Sequence, residues 1–331
     1  AVLNLAVFLL IDPIMYLLQV PGEIYDMMRQ YLWVIFWGIL ATFLYNYFAC
    51  LLRAVGNSVA PLIFLAVSSV MNIVLDLWFV LGFRWGVAGA AFATVLSQYA
   101  SGIGLAIYTY WKTPEFRIQM KYLKPKPAML KEIGQFSFLT SVQQSVMNLG
   151  ILMVQGLVNS FGTVIMAAFA AAVKIDSFAY MPAQEFGNAF STYVAQNYGA
   201  GKTERIRKGI KTAVVLSVGF CLVISLLVFI FAGPLMTIFV DPAETEILGA
   251  GVEYLRIEGA FYCGIGCLFL LYGLYRAIKR PGMSVVLTIF SLGTRVVLAY
   301  VLSGIDFIGV TGIWWSVPIG WALADLVGFV Y

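Results

Sequence analysis

The chain has 331 residues, of which 62% are hydrophobic and 11% charged, and its mean hydropathy is +0.92. Soluble domains contain about a quarter charged residues, so this composition excludes a soluble globular protein and predicts a membrane protein. The formal net charge is +4 and no histidine is present, which excludes histidine metal ligands and histidine bases.

Long apolar runs predict ten membrane-spanning helices, because a run of this length satisfies its backbone hydrogen bonds in the bilayer only as a helix. The predicted spans are 1–20, 27–52, 59–83, 86–111, 134–158, 163–193, 209–232, 246–275, 282–303 and 309–331. The first span begins without an initiator Met or a basic flank, so it reads as a helix already under way.

Basic residues cluster in alternate loops. They are Arg53, then Lys112, Arg117, Lys121, Lys124, Lys126 and Lys131, then Lys202, Arg205, Arg207, Lys208 and Lys211, and finally Arg276, Lys279 and Arg280. The opposite loops carry the acidic stretches "VPGEIYD", "VDPAETE" and "SGID", with Arg29 and Arg84 as basic exceptions. The positive-inside rule therefore places the basic loops in the cytoplasm.

The sequence repeats itself with an offset of 223 residues, since Tyr31 corresponds to Tyr254 and Arg53 to Arg276. "GVAGAA" at 86–91 likewise resembles "GVTGIW" at 309–314. Tandem repeats of this kind build two-lobed transporters. We expect a first lobe at 1–111, a cytoplasmic linker at 112–132 and a second lobe at 133–331. The second lobe has six helices and the first only four, so we expect roughly two helices and part of a third to precede residue 1.

Two pairs of polar residues lie on adjacent predicted helices of the first lobe. Asn72 and Asp76 are four residues apart, as are Thr94 and Gln98, so each pair shares one helix face. The link between the helices is short, and at 1.5 Å per residue Asp76 and Thr94 both lie about 12–15 Å below the outer surface. A carboxylate, an amide carbonyl and a hydroxyl suit Na⁺, whereas burial of the carboxylate favours a proton. Either ion can neutralise Asp76, and an acid inside the membrane is by default a functional candidate.

Other polar residues predict a substrate cavity. The fifth span has a polar stripe formed by Gln143, Gln144, Asn148 and Gln155. Lys174 can pair with an acid or meet an anionic group. Gln98, Tyr45 and Asn46 are the first-lobe residues that we assign to the same cavity. Arg295 and Asp325 lie on neighbouring helices and are expected to form an ion pair.

Several stretches resemble the multidrug and toxic compound extrusion (MATE) transporters. They are "MNIVLDLWFV", "GVAGAAFATVLSQ" and the long run from "IGQFSFLTSVQQSVMNLG" to "AQNYGAGKTERIRKGI", of which "QNYGAGKTER" is the most specific. The resemblance covers essentially the whole chain, from the family's third helix to its twelfth. It implies an all-α polytopic fold of two six-helix lobes around a central cavity that opens alternately to either side.

The resemblance also implies a cation site. In one branch of the family an Asp of the first helix, an Asn and an Asp of the fifth and a Thr of the sixth hold the cation, and the last three match Asn72, Asp76 and Thr94. The first-helix Asp would lie in the segment that we expect to precede residue 1. Another branch uses a Glu of the seventh helix and an Asp of the tenth. The seventh helix here offers glutamines and the tenth "FYCGIGCLFL", so we expect no counterpart of that second site.

The function expected from this pattern is Na⁺- or H⁺-coupled export of cationic or amphipathic compounds, by a monomer in the plasma membrane of a bacterium. The alternatives are a flippase for lipids or lipid-linked oligosaccharides and a non-transporting membrane scaffold. An enzyme is not expected, because the sequence contains no nucleotide loop, nucleophile–base set or metal-ligand spacing. No cofactor beyond the coupling ion is expected, nor is a nucleic-acid partner.

Overall fold

The computed structural model describes residues 2–17, 22–114 and 126–331 of the chain. It divides into two compact units, residues 1–124 and 125–331. Most of the predicted linker at 112–132, including Arg117, Lys121 and Lys124, lies outside the described residues. The two lobes and the linker stay predictions.

The first unit is built from helices. They are α1 (Val2–Leu9), α2 (Ile11–Leu17), α3 (Gly22–Ile35), α4 (Gly38–Ala54), α5 (Val59–Leu77) with a π-helical turn at Trp78–Gly82, and α6 (Gly86–Lys112). The π turn ends with the amide of Phe83 donating to the carbonyl of Trp78, five residues earlier, at 3.0 Å.

Helix α6 is the centre of the first unit, because α3, α4 and α5 all pack against it. Small residues allow the close approach, as is common between membrane helices. The side-chain hydroxyl of Ser68 on α5 donates to the backbone carbonyl of Ser97 on α6 at 2.8 Å. The α5–α6 pair is therefore held by packing and by a buried hydrogen bond, and it carries both predicted polar pairs.

The second unit is also helical. Its helices are α7 (Pro127–Asn159), α8 (Thr163–Gly199), α9 (Thr203–Met236), α10 (Thr245–Gly259), α11 (Tyr262–Ala277), α12 (Pro281–Ser303) and α13 (Val310–Val330). Helices α10 and α11 form a bent pair with an angle of 52° between them.

Helix α8 is the hub of the second unit and packs against α9, α10 and α11. Its contact with α11 is close enough that a Cβ on Gly273 would lie 2.6 Å from the backbone oxygen of Gly187. Helices α12 and α13 form the other large contact, and α7 packs against α12. A buried aromatic group stands where these layers meet: the ring of Phe169 stacks on Trp314 with centroids 5.6 Å apart.

Membrane-length helices account for most of the predicted spans. In the described part of the chain, seven helices are long and apolar enough to cross a membrane, or eight if the bent α10–α11 pair is one span. The span predicted at 1–20 is instead two short helices, α1 and α2, and residues 18–20 lie outside the described structure. Helix α7 is 33 residues long, but its glutamine and asparagine side chains make it less apolar. The chain is a helical, multi-pass membrane protein, and the count of ten spans stays a prediction.

Backbone features recur at the predicted offset of 223. Gly86 and Gly309 have positive φ angles of 56° and 54°, and Gly56 and Lys279 of 85° and 63°. The following residues close the same turn, since the amide of Asn57 donates to Leu52 at 2.9 Å and that of Arg280 to Tyr275 at 2.8 Å. Two segments with unlike side chains thus end their helices in the same way, which supports an internal repeat of structure.

The Lys279 turn leads to a first prediction. A residue with a Cβ is strained at positive φ, whereas Gly is not, so Lys279→Gly is expected to raise the melting temperature of the purified protein. In the wild type, a hydrogen-bonded ion pair joins Lys279 to Glu132 at 2.7 Å and raises the pKa of Lys279. The substitution removes this pair. The ion pair stabilises the fold only at pH values below the raised pKa of Lys279. Because both side chains are exposed, the stability lost with the pair is small.

Lys279→Ala is the matched control, since it removes the same ammonium group but keeps the strained Cβ. Its melting temperature is expected not to exceed that of the wild type. Thermal unfolding of the three proteins near neutral pH decides the matter, and equal melting temperatures for the Gly and Ala variants would rule out backbone strain at this turn.

Candidate functional site

Asn72 and Thr94 meet between α5 and α6, as the sequence predicts. The side-chain amide of Asn72 donates to the hydroxyl oxygen of Thr94 at 3.4 Å. The hydroxyl of Thr94 in turn donates to the carbonyl of Ala90, one helical turn earlier, at 3.1 Å. Both side chains are partly buried. The hydroxyl proton of Thr94 thus points to the backbone of α6. The hydroxyl oxygen, as an acceptor, faces α5.

Asp76 follows one turn after Asn72 on the same face of α5. Its Oδ1 atom is buried and has no hydrogen-bond partner. A buried, unpartnered carboxylate oxygen is costly, because it loses water without gaining a protein donor. A bound cation or a proton would remove this cost. The described residues contain no group of three or more Asp, Glu, Cys or His side chains arranged for a metal ion, so any cation here depends on one carboxylate and neutral oxygens.

Gln98 lies one turn after Thr94 but takes a different direction. Its side-chain oxygen occupies the space above Gly38 on α4 that a Cβ would need. The absence of a side chain at Gly38 explains this placement, and Gln98 has no hydrogen bond to the Asn72–Asp76 pair. The next residue, Tyr99, also reaches back toward α4, donating its hydroxyl to the carbonyl of Trp37 at 3.1 Å.

The other predicted cavity residues mostly make local contacts. In the first unit, Tyr45 donates its hydroxyl to the carbonyl of Pro61 at 3.0 Å, and the exposed Asn46 donates to Thr42 at 2.9 Å. In the second unit, Gln144 donates to Asn148 at 3.4 Å along an exposed face of α7. Gln143, by contrast, is buried, with 6% of its surface exposed.

In the second unit, the ion pair expected between Arg295 and Asp325 is not formed, and Lys174, whose role the sequence left open, contacts an aromatic ring. The ammonium group of Lys174 is exposed and lies 5.7 Å from the ring centroid of Phe239, a cation–π contact in place of a pair with an acid. The Oδ1 atom of Asp325 is buried and has no hydrogen-bond partner. The Nε atom of Arg295 is also buried without a partner. Arg295 instead lines a cavity together with Asp176 and Glu258. Arg295 therefore acts on these two acids, from α8 and α10, rather than on Asp325 of the neighbouring α13.

Glu258 is the residue that sequence reasoning missed. It stands in "EYLRIEG", inside the span predicted at 246–275, and only 2% of its surface is exposed. The available signal was spacing: Tyr254 and Glu258 are four residues apart, which places them on one face of α10, and Tyr262 begins α11 just after the bend. Tyr254 and Tyr262 are each 1% exposed, so this face is the buried one.

Comparison with known proteins gives the relatives of this chain. A 327-residue stretch is 30% identical to the probable multidrug resistance protein YpnP of Bacillus subtilis, covering 98% of this chain and 72% of YpnP. The probable multidrug resistance protein NorM of Thermotoga maritima is 29% identical over 302 residues, covering 89% of this chain and 64% of that protein.

Solved structures share the fold. A mutant of the Vibrio cholerae MATE transporter VcmN superposes with a TM-score of 0.93 at 22% identity, covering 100% of this chain and 74% of that one. A MOP superfamily transporter from Pyrococcus furiosus gives a TM-score of 0.91 at 23% identity, covering 99% and 75%. The family model MatE matches residues 1–78 and 137–301. Together with the 30% identity to YpnP, this match shows that the chain is a member of the MATE family of transporters.

Proposed function

We propose that this protein is a cation-coupled antiporter that exports cationic or amphipathic compounds by alternating access. The observation that carries the proposal is the unpartnered, buried oxygen of Asp76 beside the Asn72–Thr94 contact. A carboxylate without a hydrogen-bond partner in one state of the protein can bind a cation or a proton and release it during a transport cycle. Binding of Na⁺ or H⁺ at Asp76 neutralises the carboxylate and favours one arrangement of the surrounding helices.

The proposed substrates follow from the relatives. YpnP and the Thermotoga NorM carry the name probable multidrug resistance protein, and a Staphylococcus aureus relative, 23% identical, is named multidrug export protein MepA. Coupling requires only that cation and drug favour different arrangements, because each ligand shifts the equilibrium by its difference in affinity for the two.

The proposed setting is the bacterial plasma membrane, with the basic segments on the cytoplasmic side. Of the described ones, the segment at 202–211 begins α9 and the Arg276–Arg280 segment ends α11. The protein works as a monomer in contact with lipid and needs no cofactor other than the coupling ion. The cavity residues Gln98, Gln143, Gln144, Asn148, Lys174, Tyr45 and Asn46 are proposed to contact substrate during the cycle.

Tracer efflux tests the proposal. The full-length protein is reconstituted in lipid vesicles loaded with ethidium, and an inward-directed gradient of Na⁺ or of protons is imposed separately. Export stimulated by one of these gradients, and abolished when an ionophore collapses it, is the expected result. Ethidium movement indifferent to both gradients, or transfer of labelled lipid between leaflets in its place, would show that the protein is not this antiporter.

The hydroxyl of Thr94 gives a further prediction. Thr94→Val keeps the shape of the side chain but removes the oxygen that faces Asn72, so the cation concentration for half-maximal efflux is expected to rise roughly tenfold, as for loss of one contact to a charged group. Thr94→Ser, which keeps the hydroxyl, is expected to stay near the wild type.

Thr109→Val is the matched control for this experiment. Thr109 lies on the same helix and donates to the carbonyl four residues earlier, at 2.7 Å, just as Thr94 does. It is far along α6 from Asn72, so its substitution is expected to leave the cation dependence unchanged. An equal shift in both valine variants would mean that the hydroxyl of Thr94 has only a structural role.

A further inference from the structure

A largely apolar cavity with three charged side chains in its wall lies in the second unit, whereas the proposed cation site lies in the first. The volume of the cavity is about 120 Å³ and its walls include Asp176 on α8, Glu258 on α10 and Arg295 on α12. The two acids are 4% and 2% exposed. Neither acid stands on α7 or in "FYCGIGCLFL", the places where the family resemblance puts the acids of its second cation site.

The charges in this cavity do not balance. The tyrosines that face it are uncharged near neutral pH, which leaves Arg295 as the basic group acting on both carboxylates. If both acids were ionised, one negative charge would remain uncompensated in the interior, which is strongly unfavourable. Two buried carboxylates that share a site titrate as a pair, and one of them keeps its proton.

Several polar atoms around the cavity lack partners. They are Oδ1 of Asp176, Oε2 of Glu258 and Nε of Arg295, all buried without a hydrogen bond, while the hydroxyl of Tyr262 lies close to Asp176 and that of Tyr254 close to Glu258. Unpartnered donors and acceptors beside a cavity of this volume favour ordered water, for which 120 Å³ has room for about four molecules. A protonated carboxyl and water together supply donors for the one oxygen of each acid that stays without a partner.

Arg295 also decides which cation fits. It stands 223 residues after Asn72, so the second repeat holds a fixed positive charge where the first holds a neutral amide. A guanidinium beside the carboxylates repels a metal cation and takes its place as their counter-ion. A proton, which bonds covalently to one carboxylate oxygen, needs no space and no further ligand.

Among the described residues that line the cavity, Arg295 is the one basic group, and a further buried acid, Asp325 on α13, acts on the lining residue Tyr272. The titratable side chains that face the pair or the cavity are Tyr180 on α8, Tyr254 on α10, Tyr262 and Tyr272 on α11 and Arg295 on α12. Helices α7 and α13 face the cavity with uncharged residues such as Gln155 and Trp321. Among the described residues that line it, none comes from α9.

We propose that Asp176 and Glu258 form a hydrated proton-binding site in which the two carboxylates hold one proton between them beside Arg295. The proton is carried on a carboxylate oxygen and exchanges with water in the cavity. This site is distinct from Asp76 and goes beyond the proposed antiport, because proton occupancy here does not depend on whether Asp76 binds an ion.

Infrared spectroscopy of the full-length protein near neutral pH tests this proposal through the carbonyl stretch of a protonated carboxyl group. Asp176→Asn and Glu258→Gln are each expected to remove the band of one carboxyl, because the remaining acid then forms a neutral pair with Arg295. The double variant is expected to lose no more than either single variant. Arg295→Met is expected to add one carboxyl band, since both acids then keep protons.

The controls separate this site from others. The carbonyl band of the carboxyl that holds the proton shared by Asp176 and Glu258 is expected to persist in Asp76→Asn. It is also expected to persist in Asp325→Asn, which alters a buried carboxyl outside the cluster. Added Na⁺ is expected to leave this band unchanged. If Asp176→Asn fails to elute as a folded species, the gain of a band in Arg295→Met decides the question. Unchanged spectra in the acid variants, no gain in Arg295→Met, or loss of the band on adding Na⁺ would each overturn the shared proton.

Discussion

Asp76→Asn is expected to reduce ion-driven efflux by the full-length protein by about tenfold or more, the range of coupling free energies between two ligands of one protein. The substitution removes the negative charge of the carboxylate but keeps its size and one oxygen. An amide cannot be switched between charged and neutral states by an ion. The variant is therefore expected to bind substrate and remain folded, while its transport no longer responds to the Na⁺ or proton gradient.

Asp306→Asn is the matched control, because it makes the same chemical change at an exposed position between α12 and α13. Efflux of ethidium from vesicles, measured with and without each gradient, is expected to be normal for this control. Gradient-driven efflux that survives in Asp76→Asn at the wild-type rate would remove Asp76 from the coupling mechanism.

Gly273→Ala is expected to destabilise the fold strongly. The added Cβ would lie 2.6 Å from the backbone oxygen of Gly187, well inside the contact distance between a carbon and an oxygen. Neither atom belongs to a flexible side chain, so α8 and α11 must separate. Forcing an extra methyl group into such a contact costs roughly 1–3 kcal/mol of unfolding free energy, and the melting temperature is expected to fall.

Gly219→Ala tests whether this effect belongs to the helix contact or to loss of a glycine. Gly219 lies within α9, and a Cβ there meets nothing within 4 Å. Alanine is favoured over glycine in a helix by up to about 1 kcal/mol, so the melting temperature is expected to be equal or higher. Both variants are compared in the same detergent, and a similar loss in each would refute the steric account.

Local patterns in the sequence predicted the helices and the residues that share one helix face, because both depend on residues close together in the chain. The α5–α6 hairpin follows from two apolar runs joined by a short link, and the four-residue spacing of Asn72 and Asp76 predicted a shared face. The predicted span 86–111 is close to the observed α6, Gly86–Lys112. By contrast, α9 extends over Thr203–Met236, beyond the predicted 209–232, because its basic first turns are helical although they are not apolar.

Contacts between distant helices could not be predicted in this way. Asp176, Glu258 and Arg295 come from three helices, and 119 residues separate the first from the last (295 − 176). Which acid faces Arg295 depends on the rotation of each helix, which no local spacing determines. The expectation that Arg295 pairs with Asp325 was wrong for this reason, and Gln98 turned to α4 because Gly38 leaves space there.

The repeat connects both sites to one architecture. The turns at Gly56 and Lys279 and the helix starts at Gly86 and Gly309 show the same positive φ angles, so α5 and α12 hold equivalent places in their units. In the first, that helix presents Asn72 and Asp76. In the second, it presents Arg295 to acids from α8 and α10. Equivalent helices of the two units thus carry polar residues of different charge.

The most direct test of the cation site is the equilibrium affinity of the purified full-length protein for ethidium, measured by fluorescence across Na⁺ concentration and pH. If Asp76 binds the coupling ion, the affinity for ethidium falls as that ion occupies the site in the wild type, and it does not change in Asp76→Asn. An affinity that responds to the ions equally in both proteins would contradict the assignment of Asp76 as the cation ligand.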